Sequence, residues 1–215
     1  MNKRKKNLVA LVSGGGSNLA AILQSIDRGE INGEIKAVIS SNAQAYALTR
    51  ARERGIPAYV CARADYASGM ERDAEILRIC RATNADYILL AGYLGILSPA
   101  VIEAYPNRVV NIHPALLPKF GGKGFFGLHV HKAVLEAGER ESGATVHFVD
   151  TGTDTGLIIA QGKVAVEKTD TPEILQQRIL DNVEHKLFPQ VVGWLCDDRV
   201  SVQNGKVIVQ QQSYL

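Results

Sequence analysis

Hydrophobic positions along the chain follow two different periods. Leu8-Val9-Ala10-Leu11-Val12 is an unbroken apolar run, the mark of a strand buried on both faces of a parallel sheet. It stops at Ser13-Gly14-Gly15-Gly16-Ser17-Asn18, and Leu19, Ile22, Leu23 and Ile26 then repeat at helical spacing, so an amphipathic helix starts directly after the glycines. Residues 35–40 predict a second strand, 43–54 a helix stopped by Gly55, and 57–61 a short third strand. A helix over about 70–83 leads to the buried strand Tyr87-Ile88-Leu89-Leu90-Ala91. Ser98-Pro99 predicts an N-cap with proline at the first helical position, and the next strand runs through Val109-Val110-Asn111-Ile112-His113. This alternation is that of a doubly wound, mostly parallel, Rossmann-like α/β sheet.

Beyond Pro118 the pattern changes. Gly121 to Gly127 set Phe125 and Phe126 among glycines, which predicts either a lid over an apolar ligand or a surface loop packed on its own rings. Residues 128–137 read as a helix with Gly138 at C′. Residues 144–149 alternate as a strand, 150–156 form an acidic turn and 157–166 are strand again, and so short a connection requires antiparallel pairing. Thr171-Pro172 caps a long helix carrying Leu175, Ile179, Val183 and Leu187, with a kink at Pro189. Asn204-Gly205 predicts a hairpin over 200–209. No repeat or linker divides the chain, so residues 1–215 are expected to form one domain with a basic extension at 1–6.

Composition narrows the function. A formal net charge of +2 over 215 residues gives no reason to expect nucleic acid, and Lys3-Arg4-Lys5-Lys6 reads as a solvated terminus. The apolar run after it is too short for a signal-peptide core or a membrane span, which points to a cytoplasmic protein working on small molecules, as monomer or homodimer. Cys61, Cys80 and Cys196 are widely spaced with no CxxC, so they read as reduced, mostly buried thiols, and no metal site is expected.

Two features carry candidate chemistry. Strand alternation puts Asn111 and His113 on one face, and Pro114 fixes the backbone where the imidazole emerges. An amide donor beside an imidazole suits chemistry on a carbonyl, although a structural histidine at a capped strand end fits the same residues. Gly14, Gly15 and Gly16, with Ser17 and Asn18, open a helix whose N-terminus can hold an anion. A dinucleotide fingerprint would need glycine at Leu19 and an acid near Ser40-Ser41-Asn42, and a Walker loop would need Gly-Lys-Ser/Thr, so a phosphate monoester remains. Ligands of parallel sheets sit at the carboxyl ends of strands, where the glycine loop, the loop from Tyr93 to Leu97 and the Asn111/His113 pair all fall. A phosphate, an apolar slot and an imidazole on one edge describe a transferase. His129 and His131, two apart on a helix, share no face and read as surface residues, while His147 has a site role and a structural role equally open.

With these motifs in place the chain resembles the phosphoribosylglycinamide formyltransferase family from about Leu8 to the long C-terminal helix. The resemblance rests on Ser13 to Asn18, Leu90-Ala91-Gly92-Tyr93-Leu94, Asn111-Ile112-His113-Pro114-Ala115-Leu116-Leu117-Pro118, Thr145-Val146-His147-Phe148-Val149, Asp154 and Glu184-His185. It implies that Gly14 to Asn18 grip the phosphate of glycinamide ribonucleotide and that Glu184 holds its ribose. It further implies that Leu94, Gly95, Ile96 and Leu97, with backbone groups of residues 150–154 and Asn111, hold the pterin of the co-substrate 10-formyltetrahydrofolate. Asn111, His113 and Asp154 would be the catalytic set, with Asp150 the second choice of acid.

The chain departs from the commoner family pattern at Gly69 and Gly95, where arginine is frequent, at Ala115 in place of serine, and at Asp154-Thr155-Gly156-Leu157 in place of Asp-Gly-Gly-Pro. Three other readings compete. Formyltetrahydrofolate hydrolase usually carries an N-terminal regulatory domain, methionyl-tRNA formyltransferase a C-terminal RNA-binding domain, and a non-catalytic nucleotide-binding module has no use for the three polar residues together.

Overall fold

The computed structural model describes residues 4–210. The first half alternates strand and helix: β1 (Lys6–Val12), α1 (Ser17–Asp27), β2 (Gly33–Ser40), α2 (Tyr46–Glu53), β3 (Ala58–Val60), α3 (Gly69–Ala82), β4 (Tyr87–Leu90), α4 (Pro99–Ala104) and β5 (Val109–His113). After α5 (Leu128–Glu136) come β6 (Glu141–Phe148), β7 (Ile158–Ala165), α6 (Pro172–Ile179), α7 (His185–Cys196), and the hairpin β8 (Val200–Gln203) and β9 (Lys206–Val209). The main sheet has the order β3-β2-β1-β4-β5-β6-β7. Pairs from β3 through β5 are parallel, whereas β6 runs antiparallel to both β5 and β7, so the sheet is mixed as the short loop required.

β1 is buried on both faces. Leu8, Ala10 and Val12 join the apolar layer with α1, α6 and α7, and Val9 and Leu11 join the opposite layer with α3 and α4. Strand order reverses at β1, whose neighbours are β2 and β4, and a crevice opens beyond the carboxyl ends of β1 and β4. The two loops flanking that crevice are stitched together, because the Leu94 amide donates to Ser13 Oγ at 2.8 Å. The cysteines are free and buried, and burial pushes Cys80 and Cys196 up to about 12. No helix among the described residues is long and apolar enough to cross a membrane.

Several elements differ from expectation for local reasons. α2 begins at Tyr46 rather than residue 43, since the Asn42 amide donates to Ser40 Oγ at 3.0 Å and the Gln44 amide to Asn42 Oδ1 at 3.0 Å. These turns occupy the amides that a longer helix would need. Ser98 stands at the N-cap of α4 but its hydroxyl caps nothing. The long C-terminal helix is interrupted upstream of Pro189, by a π turn over Leu180–Glu184 in which the His185 amide donates to the Leu180 carbonyl. Proline crowds the carbonyl four residues before it, and the chain widens just ahead of that point. The basic extension is shorter than 1–6, because Lys6 opens β1 and pairs with Asp198 at 2.7 Å while Arg4 pairs with Asp86 at 2.6 Å. Residues 1–3 lie outside the described residues.

Candidate active site

β5 ends beside β6 with Asn111 opposite His147 and His113 opposite Thr145. That register puts an amide and two imidazoles on one face. Asn111 Nδ2 lies 3.1 Å from His147 Nε2, and His147 Nδ1 lies 2.9 Å from the Phe148 carbonyl. A carbonyl only accepts, so His147 carries its proton on Nδ1 and its Nε2 accepts the Asn111 amide. Burial holds His147 below the ordinary imidazole value, in keeping with this neutral ring. The amide of Asn111 is thereby oriented, with one N–H given to His147.

His113 is tied differently. Its Nε2 donates to the Phe120 carbonyl at 2.7 Å, and its Nδ1 faces Asp154 Oδ2 at 3.5 Å. Each ring nitrogen thus faces an acceptor. The other Asp154 oxygen lies 3.7 Å from His147 Nε2, which is already an acceptor, so the carboxylate has its productive partner in His113. Asp154 sits at φ 58°, in the left-handed region that non-glycine residues rarely adopt, and this turns its carboxyl back into the cleft. Asp150 accepts instead from the Gly152 amide at 3.1 Å and Thr155 Oγ1 at 2.7 Å, holding its own loop.

The segment from Phe120 to Gly127 grips both members of this pair. Phe120 supplies the carbonyl to His113, and the Gly122 amide donates to Asp154 Oδ2 at 3.0 Å. The Phe125 ring packs edge-on against Phe120 at 6.2 Å, while Phe125 and Phe126 also line the cavity. Behind them His131 is fully buried rather than on the surface, with neither ring nitrogen partnered, and burial pushes it down to about 4. The signal was present in the sequence: His131 lies three residues before Val134 and so shares the inward face of α5.

The glycine loop reaches the site through α1. Gly16 is the N-cap residue at φ 70° and supplies no side-chain cap, which leaves the first-turn amides to an anion. Asn18 turns inward: its Nδ2 donates to Glu184 Oε2 at 2.7 Å, and both residues are buried. Burial raises the Glu184 carboxyl, against the opposing effect of that hydrogen bond. Arg50, which sequence reading passed over, donates through Nε to the Gly15 carbonyl at 2.9 Å and lies over the Tyr46 ring at 4.8 Å. It brings a cation to the loop from the next helix.

Across the crevice, Leu94 to Leu97 form an apolar wall. A Cβ on Gly95 would lie 2.7 Å from the far end of the Tyr93 ring, so a side chain there would have to displace that ring. The cavity between these walls measures about 570 Å³ and runs from Ser17, Asn18 and Glu184 past Asn111, His113 and Asp154 to Leu94–Leu97. Of the candidate catalytic and substrate-binding residues, all but Gly14, Gly15 and Gly16 line it. Among the described residues no group of three or more His, Cys, Asp or Glu side chains is placed to hold a metal.

A mixed α/β sheet with a helix N-terminus, an apolar slot and an amide–imidazole–carboxylate set on one edge defines an enzyme of the formyl transferase class, whose family model matches residues 6–192. The chain is 42% identical over 212 residues to phosphoribosylglycinamide formyltransferase, chloroplastic, from Arabidopsis thaliana, covering 97% of this chain and 72% of that protein. It is 38% identical to phosphoribosylglycinamide formyltransferase of Escherichia coli (strain K12), covering 91% of this chain and 90% of that one. Among solved structures, glycinamide ribonucleotide transformylase 1 from Symbiobacterium toebii matches with a TM-score of 0.91 at 37% identity, over 98% of this chain and 96% of that chain. The chain belongs to the phosphoribosylglycinamide formyltransferase family.

Proposed function

We propose that the cleft transfers the formyl group of 10-formyltetrahydrofolate to the amine of glycinamide ribonucleotide, a step of purine synthesis. The observation that carries this reading is the Asp154 carboxylate facing His113 beside Asn111, midway along a cavity with an anion-binding helix end on one side and an apolar wall on the other. In this reading the first turn of α1, with Arg50 nearby, takes the phosphate, and Glu184 accepts from the ribose hydroxyls. The pterin lies against Leu94–Leu97 and the backbone of residues 150–154.

The chemistry follows from these positions. The substrate amine attacks the formyl carbon, forming a new C–N bond and a tetrahedral intermediate whose oxygen is negative. The second N–H of Asn111 donates to that oxygen, and the charge of a protonated His113, whose Nε2 is tied to Phe120 and whose Nδ1 faces Asp154, stabilises it electrostatically. Asp154 neutralises the imidazolium and takes the proton lost by the attacking amine. The same proton passes to N10 as the C–N10 bond breaks, releasing tetrahydrofolate and the formylated product. The enzyme works in the cytoplasm as a monomer or homodimer on these two small molecules, without nucleic acid or membrane partners. The test is the steady-state release of tetrahydrofolate from 10-formyltetrahydrofolate. It should depend on added glycinamide ribonucleotide and saturate with it, and release at the same rate without the nucleotide would contradict the reading.

A further inference from the structure

Arg72 and Asp73, near the start of α3, are charged side chains buried behind the wall formed by Leu94–Leu97, and the catalytic reading uses neither. Arg72 is 6% exposed and Asp73 1%. Arg72 Nε donates to Asp73 Oδ1 at 2.7 Å, and its Nη2 donates to the Ile96 carbonyl at 2.7 Å. Asp73 Oδ2 in turn accepts the Ser98 amide at 2.5 Å. The pair therefore holds the loop at two points that bracket Leu97, a residue of the cavity wall.

Elsewhere the loop is held by the Leu94 amide on Ser13 Oγ and by the buried Tyr93 and Leu97, and the stretch between Leu94 and Ser98 depends on the pair. Leu94 is 63% and Ile96 70% exposed, so these apolar side chains do not anchor it by packing. Ser98 could have capped α4 with its own hydroxyl, but that oxygen is buried without a partner and Asp73 takes the Ser98 amide instead. Burying an ion pair is costly, and the cost is offset only where further hydrogen bonds satisfy it. Here those bonds go to the backbone of one loop. The nucleotide end of the cavity is built on α1, which packs in the opposite apolar layer from α3.

We propose that Arg72 and Asp73 are positioning residues that pre-shape the slot for the formyl donor, fixing Ile96 and Ser98 before the pterin arrives. The inference rests on the reading that this slot takes 10-formyltetrahydrofolate. Its signature is selective: loss of the clamp weakens the donor and spares the nucleotide.

The test measures KM for both substrates in the full chain carrying Arg72→Met or Arg72→Lys. A lost hydrogen bond from a charged group corresponds to about tenfold in affinity, so Arg72→Met should raise the donor KM about tenfold while the nucleotide KM stays within about twofold. Lysine keeps the charge beside Asp73 but lacks the guanidinium fork, so Arg72→Lys should fold and show an intermediate rise of about threefold. Equal rises in both KM values, or an unchanged donor KM with only a lower Tm, would overturn the proposal. If Arg72→Met fails to fold, Arg72→Lys decides alone. If the unsubstituted chain does not use 10-formyltetrahydrofolate at all, the functional reading fails instead, and the two failures are told apart by that control.

Discussion

Asp154 Oδ2 stands 3.5 Å from His113 Nδ1 although the two residues lie on separate crossings of the sheet edge, and the same oxygen accepts the Gly122 amide. The acid is thus fixed by the loop that covers it. Removing either partner should abolish proton handling and leave the phosphate end of the site untouched. His113→Ala and Asp154→Asn are each expected to lower kcat by about 10²- to 10⁴-fold, the range for a lost general acid–base group. Calorimetric titration with glycinamide ribonucleotide should give a Kd within about twofold of the unsubstituted chain. Near-normal turnover in either variant would contradict the assignment.

The buried Asn18–Glu184 contact predicts the opposite kinetic pattern. Glu184→Gln keeps an acceptor for Asn18 Nδ2 at 2.7 Å but removes the charge offered to the ribose. The nucleotide KM should rise about tenfold, with kcat changed by less than about threefold, because the lost interaction is equal in ground and transition states. A fall in kcat with unchanged KM would place Glu184 in the chemical step instead.

Gly16 couples the glycine loop to α2. It sits at φ 70°, and a Cβ there would lie 2.6 Å from Ala47 Cβ and 3.1 Å from Ala47 Cα. Gly16→Ala must both strain the backbone and push α2 away. It should lower stability by about 1–3 kcal/mol and raise the nucleotide KM, read from urea unfolding and steady-state kinetics.

His131 makes stability depend on pH in a direction that can be worked out. Its folded-state pKa is lowered to about 4, against an unfolded value near 6.5. Between those values the unfolded chain binds a proton that the folded chain refuses, so stability falls as pH drops from about 6.5 to about 4 and its contribution levels off below. Linkage gives a loss of about 2 kcal/mol between pH 7 and pH 5 from this residue. His131→Gln should lose correspondingly less in urea unfolding over the same interval. Equal losses in the two proteins would show that His131 is not the group responsible.

The fold was legible wherever a segment is buried on a single pattern. β1 reads as apolar on both faces and is buried on both, and the Asn204-Gly205 turn has positive φ at both residues, as its hairpin requires. The start of α2 was not legible, because side chains of Ser40 and Asn42 compete for amides that propensity assigns to the helix. Asn111 and His113 could be placed on one face from strand alternation alone, but nothing local tells which acid they meet. Asp150 is closer in sequence to His147, and it is the left-handed backbone at Asp154 that turns that carboxyl inward. Arg72 and Arg50 were missed because each acts through a contact with another element, which helical position alone does not reveal, whereas the inward face of α5 already pointed to a buried His131.

In the proposed reaction this cleft hands the formyl group to an amine. A single-turnover reaction with 10-formyltetrahydrofolate labelled in the formyl carbon, run with enzyme in excess and glycinamide ribonucleotide present, tests it most directly. The label should appear in the formylated nucleotide, with little free formate, and should stay on the folate when the nucleotide is omitted. Label released as formate at the same rate with and without the nucleotide would mean that water is the acceptor, and the account of Asn111, His113 and Asp154 as an amine-formylating set would be wrong.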